Sequence, residues 1–314
     1  MIKRSLAVTG ILFALYSISV LFVKDRPWFF PVEHQWQENL MTAQEYIYER
    51  QDSRIVIVGS SMSRMIEQES LPADCFNLSL IGRSLYEGLV IIRRAGARPD
   101  IVLAETNVTL RDLDGRFING LFNPVLSVVR KRFPPLRAAY SPIRLLQGSL
   151  RVSRTILARK FPRVSRPASN SPDPGFQKVS PKIAKPDTKP VNRESVREML
   201  TGPPAGSKNE SPDSGEMQAR LGELKREIDC LIKEGANVVF FEMPVHPQLY
   251  ASARAVAERA AFRRTFPPSE YTYLRDPECE RYHTTDTVHL DSDAARNYFS
   301  ELMDEMADLQ VHLD

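Results

Sequence analysis

Two short stretches carry the residue types that together perform acyl transfer. Gly59-Ser60-Ser61 directly follows the apolar run Arg54-Ile-Val-Ile-Val-Gly59, and Asp286-Thr-Val-His289 lies near the carboxyl terminus. A serine is a weak nucleophile until a base takes its proton, and an imidazole base needs a carboxylate to fix its tautomer and stabilise the cation. Asp three residues before His on one loop can supply both groups, so Ser61, Asp286 and His289 form a candidate catalytic triad. A glycine before the serines permits a tight strand-to-helix turn, and the N–H groups opening the next helix are donors to an oxyanion. Each stretch also has a plainer reading: Ser60, Ser61 or Ser63 as a helix N-cap, and D-x-x-H as a polar loop before a helix. His246, in Met243-Pro-Val-His-Pro247, follows a buried strand and is a candidate substrate contact. His283 lies near the Asp286 loop, and both histidines also suit ordinary polar loops.

These residues need a scaffold, and the intervening pattern supplies one. Continuous apolar runs over 54–59, 75–80, 100–105 and 237–242 predict buried strands. Helices are expected over 34–51, 63–69, 84–95 and 217–234, the last closed by Gly235, with a terminal helix over 291–309 capped by Asp291 or Ser292. Strands alternating with helices imply an α/β fold with a parallel sheet covered on both faces and its ligand site at the carboxyl ends of the strands. Residues 107–157 hold Pro124, Pro134, Pro135 and Pro142 among apolar stretches and suit short helices flanking the site. Residues 161–215 are rich in Pro, Ser, Lys, Asn and Asp and poor in large apolar side chains, which predicts a disordered insertion. Its basic excess suits anionic lipid or polysaccharide, but a solvated tether is the favoured reading.

At the amino terminus, Lys3 and Arg4 precede an uncharged run from Ser5 to Val23. About 20 apolar residues match the roughly 30 Å bilayer core, and no small-x-small cleavage site follows. The expected organisation is a cytoplasmic tip (1–4), a transmembrane anchor (5–23), a juxtamembrane segment (24–53), a first domain part (54–160), the insertion (161–215) and a second domain part (216–314). Basic residues before the run favour an extracytoplasmic working domain, with Trp28, Phe29 and Phe30 at the outer interface. A net charge of +3 from 42 basic and 39 acidic side chains excludes the strong basic excess of a nucleic-acid binder. Cys75, Cys230 and Cys279 are too few for a disulfide scaffold, leave room for one disulfide, and make no metal-binding spacing; no cofactor is implied.

Taken together, the motifs resemble the SGNH, or GDSL-like, hydrolase superfamily, in which four blocks follow one another on a flavodoxin-like three-layer sheet. Gly59-Ser60-Ser61 resembles the first block, Gly82 the glycine of the second, Asn107 the asparagine of the third, and Asp286 and His289 the last. The resemblance implies an oxyanion hole made by the backbone N–H groups of Ser61 and Gly82 and the amide of Asn107. Ser60 stands where the family has Asp, and Glu105 stands where it has Gly; a carboxylate at 105 opposes an oxyanion if it points inward. The Gly-Ser-Ser form is similar to that of membrane-anchored members such as the D-alanyl transfer protein of teichoic acid modification. By that resemblance the expected activity is an extracytoplasmic O-acyltransferase, O-acetyl in type, acting on a cell-surface polysaccharide beside a multi-span membrane-bound O-acyltransferase, from the inner or plasma membrane. A carbohydrate esterase with the same triad and a non-catalytic membrane-tethered scaffold are the alternatives.

Overall fold

The apolar runs assemble into five parallel strands: β1 (Ile55–Val58), β2 (Cys75–Asn77), β3 (Ile101–Glu105), β4 (Asn237–Phe241) and β5 (Thr272–Tyr273). Their order is β2-β1-β3-β4-β5, with Val58 opposite Ala104 and Glu105 opposite Phe241. The computed structural model describes residues 2–23, 34–142, 146 and 215–311. Around the sheet lie α2 (Gln35–Glu49), α3 (Leu85–Ala95), α4 (Gly115–Leu121), α6 (Gly215–Lys233), α7 (Pro247–Tyr250), α8 (Ala253–Thr265) and α9 (Ser292–Val311), while α1 (Ile2–Val23) and α5 (Pro124–Arg132) belong to a separate unit. Of the described residues, one compact unit holds those of 1–37 and 124–186 and the other those of 38–123 and 187–314.

Alternation along each strand divides the core in two. Val56, Val58, Val102, Ala104, Val238 and Phe240 pack with α2, α3, α6 and α8, whereas Ile57, Ile101, Leu103, Val239 and Phe241 pack with α9. Both faces are therefore covered, as a parallel sheet requires. On α6 the apolar stripe Met217, Leu221, Leu224, Ile228 and Leu231 repeats at three- and four-residue steps and is buried. Full burial of one such side chain is worth about 1.5–3 kcal/mol, so this stripe outweighs the helix's polar outer face in deciding where it lies. Phe240 meets Phe262, Phe266 and Tyr273 at ring-centroid distances of 5.1, 5.3 and 5.0 Å, which ties the short edge strand β5 to the core.

Helix ends follow the expected chemistry, with one exception. Ser84 and Glu87 close a capping box at the start of α3, Asp291 accepts from the Ala294 N–H (2.8 Å) at the start of α9, and Gly235 takes a φ of 101° after α6. The helix expected over 63–69 is instead two 3₁₀ turns, Ser63–Met65 and Gln68–Ser70. The Asn77 amide donates to the carbonyls of Ser63 and Ile66, both at 2.8 Å, removing acceptors that a continuing helix would use. The three cysteines are unpaired thiols.

In the other unit, α1 is helical over 22 residues, and the Tyr16 hydroxyl donates to the carbonyl of Pro135 at 2.8 Å. Among the described residues, which omit the α1 side chains at 2, 3, 6 and 23, no helix is long and apolar enough to cross a membrane. Trp28, Phe29, Phe30 and the insertion up to residue 214 lie outside the described residues.

The closeness of α3 to β1 gives a direct test. A Cβ added at Gly88 would meet Cγ1 of Val58 at 2.6 Å, whereas one at Gly222 on α6 meets nothing within 4 Å. Gly88→Ala is expected to lower stability by about 1–3 kcal/mol. Gly222→Ala should raise it by up to about 1 kcal/mol. Urea unfolding midpoints of the two variants check both signs.

Candidate functional site

The strand order reverses direction between β1 and β3, and sheets of this kind bind ligands at the carboxyl ends of the strands beside such a switch. Ser61 follows β1 at this edge, half-buried. His289 Nε2 lies 2.8 Å from Ser61 Oγ, and His289 Nδ1 lies 2.7 Å from Asp286 Oδ2. A carboxylate only accepts, so the ring proton sits on Nδ1 and leaves Nε2 free to accept from the serine hydroxyl. Ser61, His289 and Asp286 thus form one continuous hydrogen-bonded line, the arrangement that a serine nucleophile, its base and an orienting carboxylate require.

The loop carrying His289 and Asp286 is fixed by its own backbone. Asp286 Oδ1 accepts from the N–H groups of Val288 (3.1 Å) and His289 (2.8 Å), while Thr285 N–H donates to the His289 carbonyl at 2.8 Å. Thr284 and Leu290 pair across the loop base, and Thr287 at its tip takes a φ of 76°. A β-branched residue in that region is strained by about 1–3 kcal/mol. The Thr287 carbonyl accepts from the His246 N–H at 2.8 Å, which holds the strained residue in place. Burial pushes the Asp286 carboxyl up, but hydrogen bonds from the His289 ring and backbone, the charge of His289 and the Val288 N–H outweigh it and bring the value to about 2.

The donors expected for an oxyanion have different situations. Leu80 N–H donates to the Gly59 carbonyl at 3.1 Å, setting the turns after β1 and β2 side by side, with Ser61 and Gly82 each two residues further on. Gly82 takes a φ of 70°, suited to a residue without Cβ. Among the described residues, the N–H groups of Ser61 and Gly82 have no protein acceptor, so both are open to a ligand. Asn107 uses its amide on the segment just beyond β4: Oδ1 accepts from Met243 N–H (2.6 Å) and Nδ2 donates to the Met243 carbonyl (2.9 Å). The second amide hydrogen is left over. His246 Nδ1 accepts from Gln248 N–H at 3.3 Å as the cap of α7, and His283 pairs with Asp291 at 3.1 Å; among the described residues neither ring bonds to Ser61 or His289.

Glu105 bonds to the residues on either side of Ser61 and not to the Ser61 hydroxyl. It is fully buried, and its carboxylate accepts from Ser60 N–H (2.7 Å) and Ser63 Oγ (2.7 Å) beneath the turn. This contact and the brace from His246 to Thr287 escaped the sequence reading. The signal for the first was a set of polar residues, Ser60, Ser63, Asn77 and Ser79, clustered where buried apolar residues are the rule. Among the described residues no group of His, Cys, Asp and Glu side chains could hold a metal ion. Comparison of the chain with protein-family models, curated proteins and solved structures finds no match.

If the three side chains act as a unit, their losses do not add. His289→Ala is expected to reduce turnover on the order of 10⁴-fold or more, Asp286→Ala less, and the double variant little more than His289→Ala. Additive losses in steady-state kinetics would mean independent roles, and a larger loss in His246→Ala would assign the base elsewhere. The Asp286 carboxyl also makes a stability prediction. Its folded value of about 2 lies below the ordinary 3.8, so its contribution is present above pH 3.8 and is lost as pH falls through about 2. The melting temperature of Asp286→Asn should therefore fall short of wild type near pH 5, with the gap closing toward pH 2 on this scale.

Proposed function

We propose that this chain is a serine-dependent acyl-transfer enzyme of the SGNH type, with a flavodoxin-like sheet, and that it moves an acyl group, acetyl in type, onto a cell-surface polysaccharide. The observation carrying this reading is the line Ser61 Oγ, His289 Nε2, His289 Nδ1, Asp286 Oδ2, with separations of 2.8 and 2.7 Å across its two hydrogen bonds. The anchor belongs to the same proposal. Residues 5–23 are uncharged, α1 is helical throughout them, and Val8, Ile11, Leu12, Leu15, Ile18 and Leu21 are exposed, as side chains facing lipid would be. The working unit then faces the extracytoplasmic side, where a multi-span membrane-bound O-acyltransferase supplies the acyl group.

In the first half-reaction His289 Nε2 takes the Ser61 proton as Oγ attacks the acyl carbonyl. The oxyanion of the tetrahedral intermediate accepts from the Ser61 and Gly82 N–H groups and the spare Asn107 hydrogen. Collapse expels the donor's leaving group, which receives the proton held on His289. In the second half-reaction a sugar hydroxyl gives its proton to His289 and attacks the acyl-serine, and the proton returns to Ser61 Oγ as it leaves. Asp286 stabilises the imidazolium in both halves. With water as acceptor the same sequence is ester hydrolysis, and the exposure of the Asp286 side chain (46 %) favours water reaching this edge.

A fluorophosphonate probe tests the reading, because only an activated serine displaces its fluoride. Wild-type protein should be labelled on Ser61, and Ser61→Ala should not be. Absence of labelling in folded wild type would sink the reading. Incubation with an acyl donor and polysaccharide then separates transfer from hydrolysis by whether the acyl group ends on sugar or in solution.

A further inference from the structure

The two positions at which the chain departs from the SGNH pattern, Ser60 and Glu105, are 45 residues apart and touch. Glu105 Oε2 accepts from the Ser60 N–H at 2.7 Å and from the Ser60 hydroxyl at 2.9 Å. It also accepts from the Ser63 hydroxyl at 2.7 Å and the Ser63 N–H at 3.3 Å, so one carboxylate clasps the turn on both sides of Ser61. The clasp is itself anchored: Ser63 Oγ is 2.8 Å from Ser79 Oγ, and the Asn77 amide holds the Ser63 carbonyl at 2.8 Å. Ser60, Ser63, Asn77, Ser79 and Glu105 are all at most 2 % exposed. Gly59 leaves room for this arrangement, since a Cβ there would meet Glu105 Oε2 at 2.5 Å and Glu105 Cβ at 2.6 Å.

We propose that Glu105 is a positioning residue for Ser61: the carboxylate absent from the turn at position 60 is supplied from β3, and it holds the turn so that the Ser61 hydroxyl and N–H stay aligned with His289 and the oxyanion. The inference rests on the acyl-transfer reading. A buried carboxylate is a costly way to fill space, and an apolar residue of similar size would pack there at less cost in desolvation. Such a residue would leave the N–H groups of Ser60 and Ser63 and the Ser60 hydroxyl without their acceptor. The groups that lose it flank the nucleophile, so the carboxylate's effect falls on the orientation of Ser61 rather than on the distant core.

The test uses the full-length protein and fluorophosphonate labelling of Ser61, with the maximal labelling rate separated from the half-saturating probe concentration. Glu105→Gln keeps the shape and loses the charge; its maximal rate should fall about 10- to 100-fold, with the half-saturating concentration little changed. The double variant Ser60→Asp/Glu105→Gly returns the carboxylate to the turn and vacates β3, and it should recover most of the lost rate. A wild-type rate in folded Glu105→Gln would overturn the proposal, as would a double variant no faster than Glu105→Gln. If Glu105→Gln does not fold, the double variant decides: near wild-type labelling upholds the proposal, and slow labelling of folded protein overturns it. Rates that simply follow melting temperature across the variants mean a structural role only and overturn it too. Unlabelled wild type would remove the acyl-transfer reading together with this one.

Discussion

The hydrogen bond between Ser61 Oγ and His289 Nε2 joins residues 228 positions apart, and most of the fold in this unit bears on its 2.8 Å length. Neither partner is near the other in sequence, so the distance is the outcome of strand register, loop length and helix packing combined. Ser61 takes its place from β1, which is paired on both sides and buried. His289 takes its place from the loop before α9, and α9 is held to the opposite face of the same sheet by Tyr298, Phe299, Leu302 and Met306. The Tyr298 hydroxyl adds a bond to the Glu242 carbonyl at 2.6 Å, linking α9 to the carboxyl end of β4. A shift of α9 along the sheet would therefore lengthen the bond directly.

Beneath this bond the interior is polar where the rest of the sheet is apolar. A half-satisfied buried network is worse than an apolar core, because each orphaned donor or acceptor costs about 1–3 kcal/mol. Here the members serve one another: Ser79 N–H donates to Asn77 Oδ1 at 3.0 Å, Asn77 reaches Ser63 and Ile66, and Ser63 reaches Ser79 and Glu105. The network replaces an α-helix after β1 with a short 3₁₀ turn whose carbonyls are already committed. The stretch after Ser61 thereby gains fixed contacts that a freely fraying helix end would lack.

Strands were legible in the sequence because a parallel strand buried on both faces is built around a continuous apolar run, as Ile-Val-Ile-Val and Val-Val-Phe-Phe are. The caps Asp291 and Gly235 were legible because they act on groups within a few residues of themselves. β5 was not: with two residues, it owes its existence to pairing with Val239 and Phe240 and to aromatic neighbours, not to any run of its own. The helix expected over 63–69 failed for a related reason, since the side chain that diverts its carbonyls, Asn77, lies on the next strand. Ser61, Asp286 and His289 could be singled out as candidates because each class of chemistry restricts residue type, and D-x-x-H brings two of them together by spacing alone. The partner of Glu105 could not be named, because a contact between residues 45 apart leaves no local pattern and becomes visible only once β1 and β3 are in register.

The two halves of the site are made rigid by different means, and the difference follows from their lengths. In the Asp286 loop only two residues separate carboxylate and imidazole, so one side chain can serve both backbone and ring. Oδ1 closes the turn on the N–H groups of Val288 and His289, and Oδ2 orients the ring. So tight a turn forces Thr287 into the left-handed region, and its strain is offset from outside by the bond from His246 to its carbonyl. Asp286 and His289 therefore arrive as a single preformed piece. Ser61 has no such local device, because it sits in a turn whose side chains on either side of it, Ser60 and Ser63, point into the protein. Its rigidity has to come from another strand, and Glu105 is the group that reaches it.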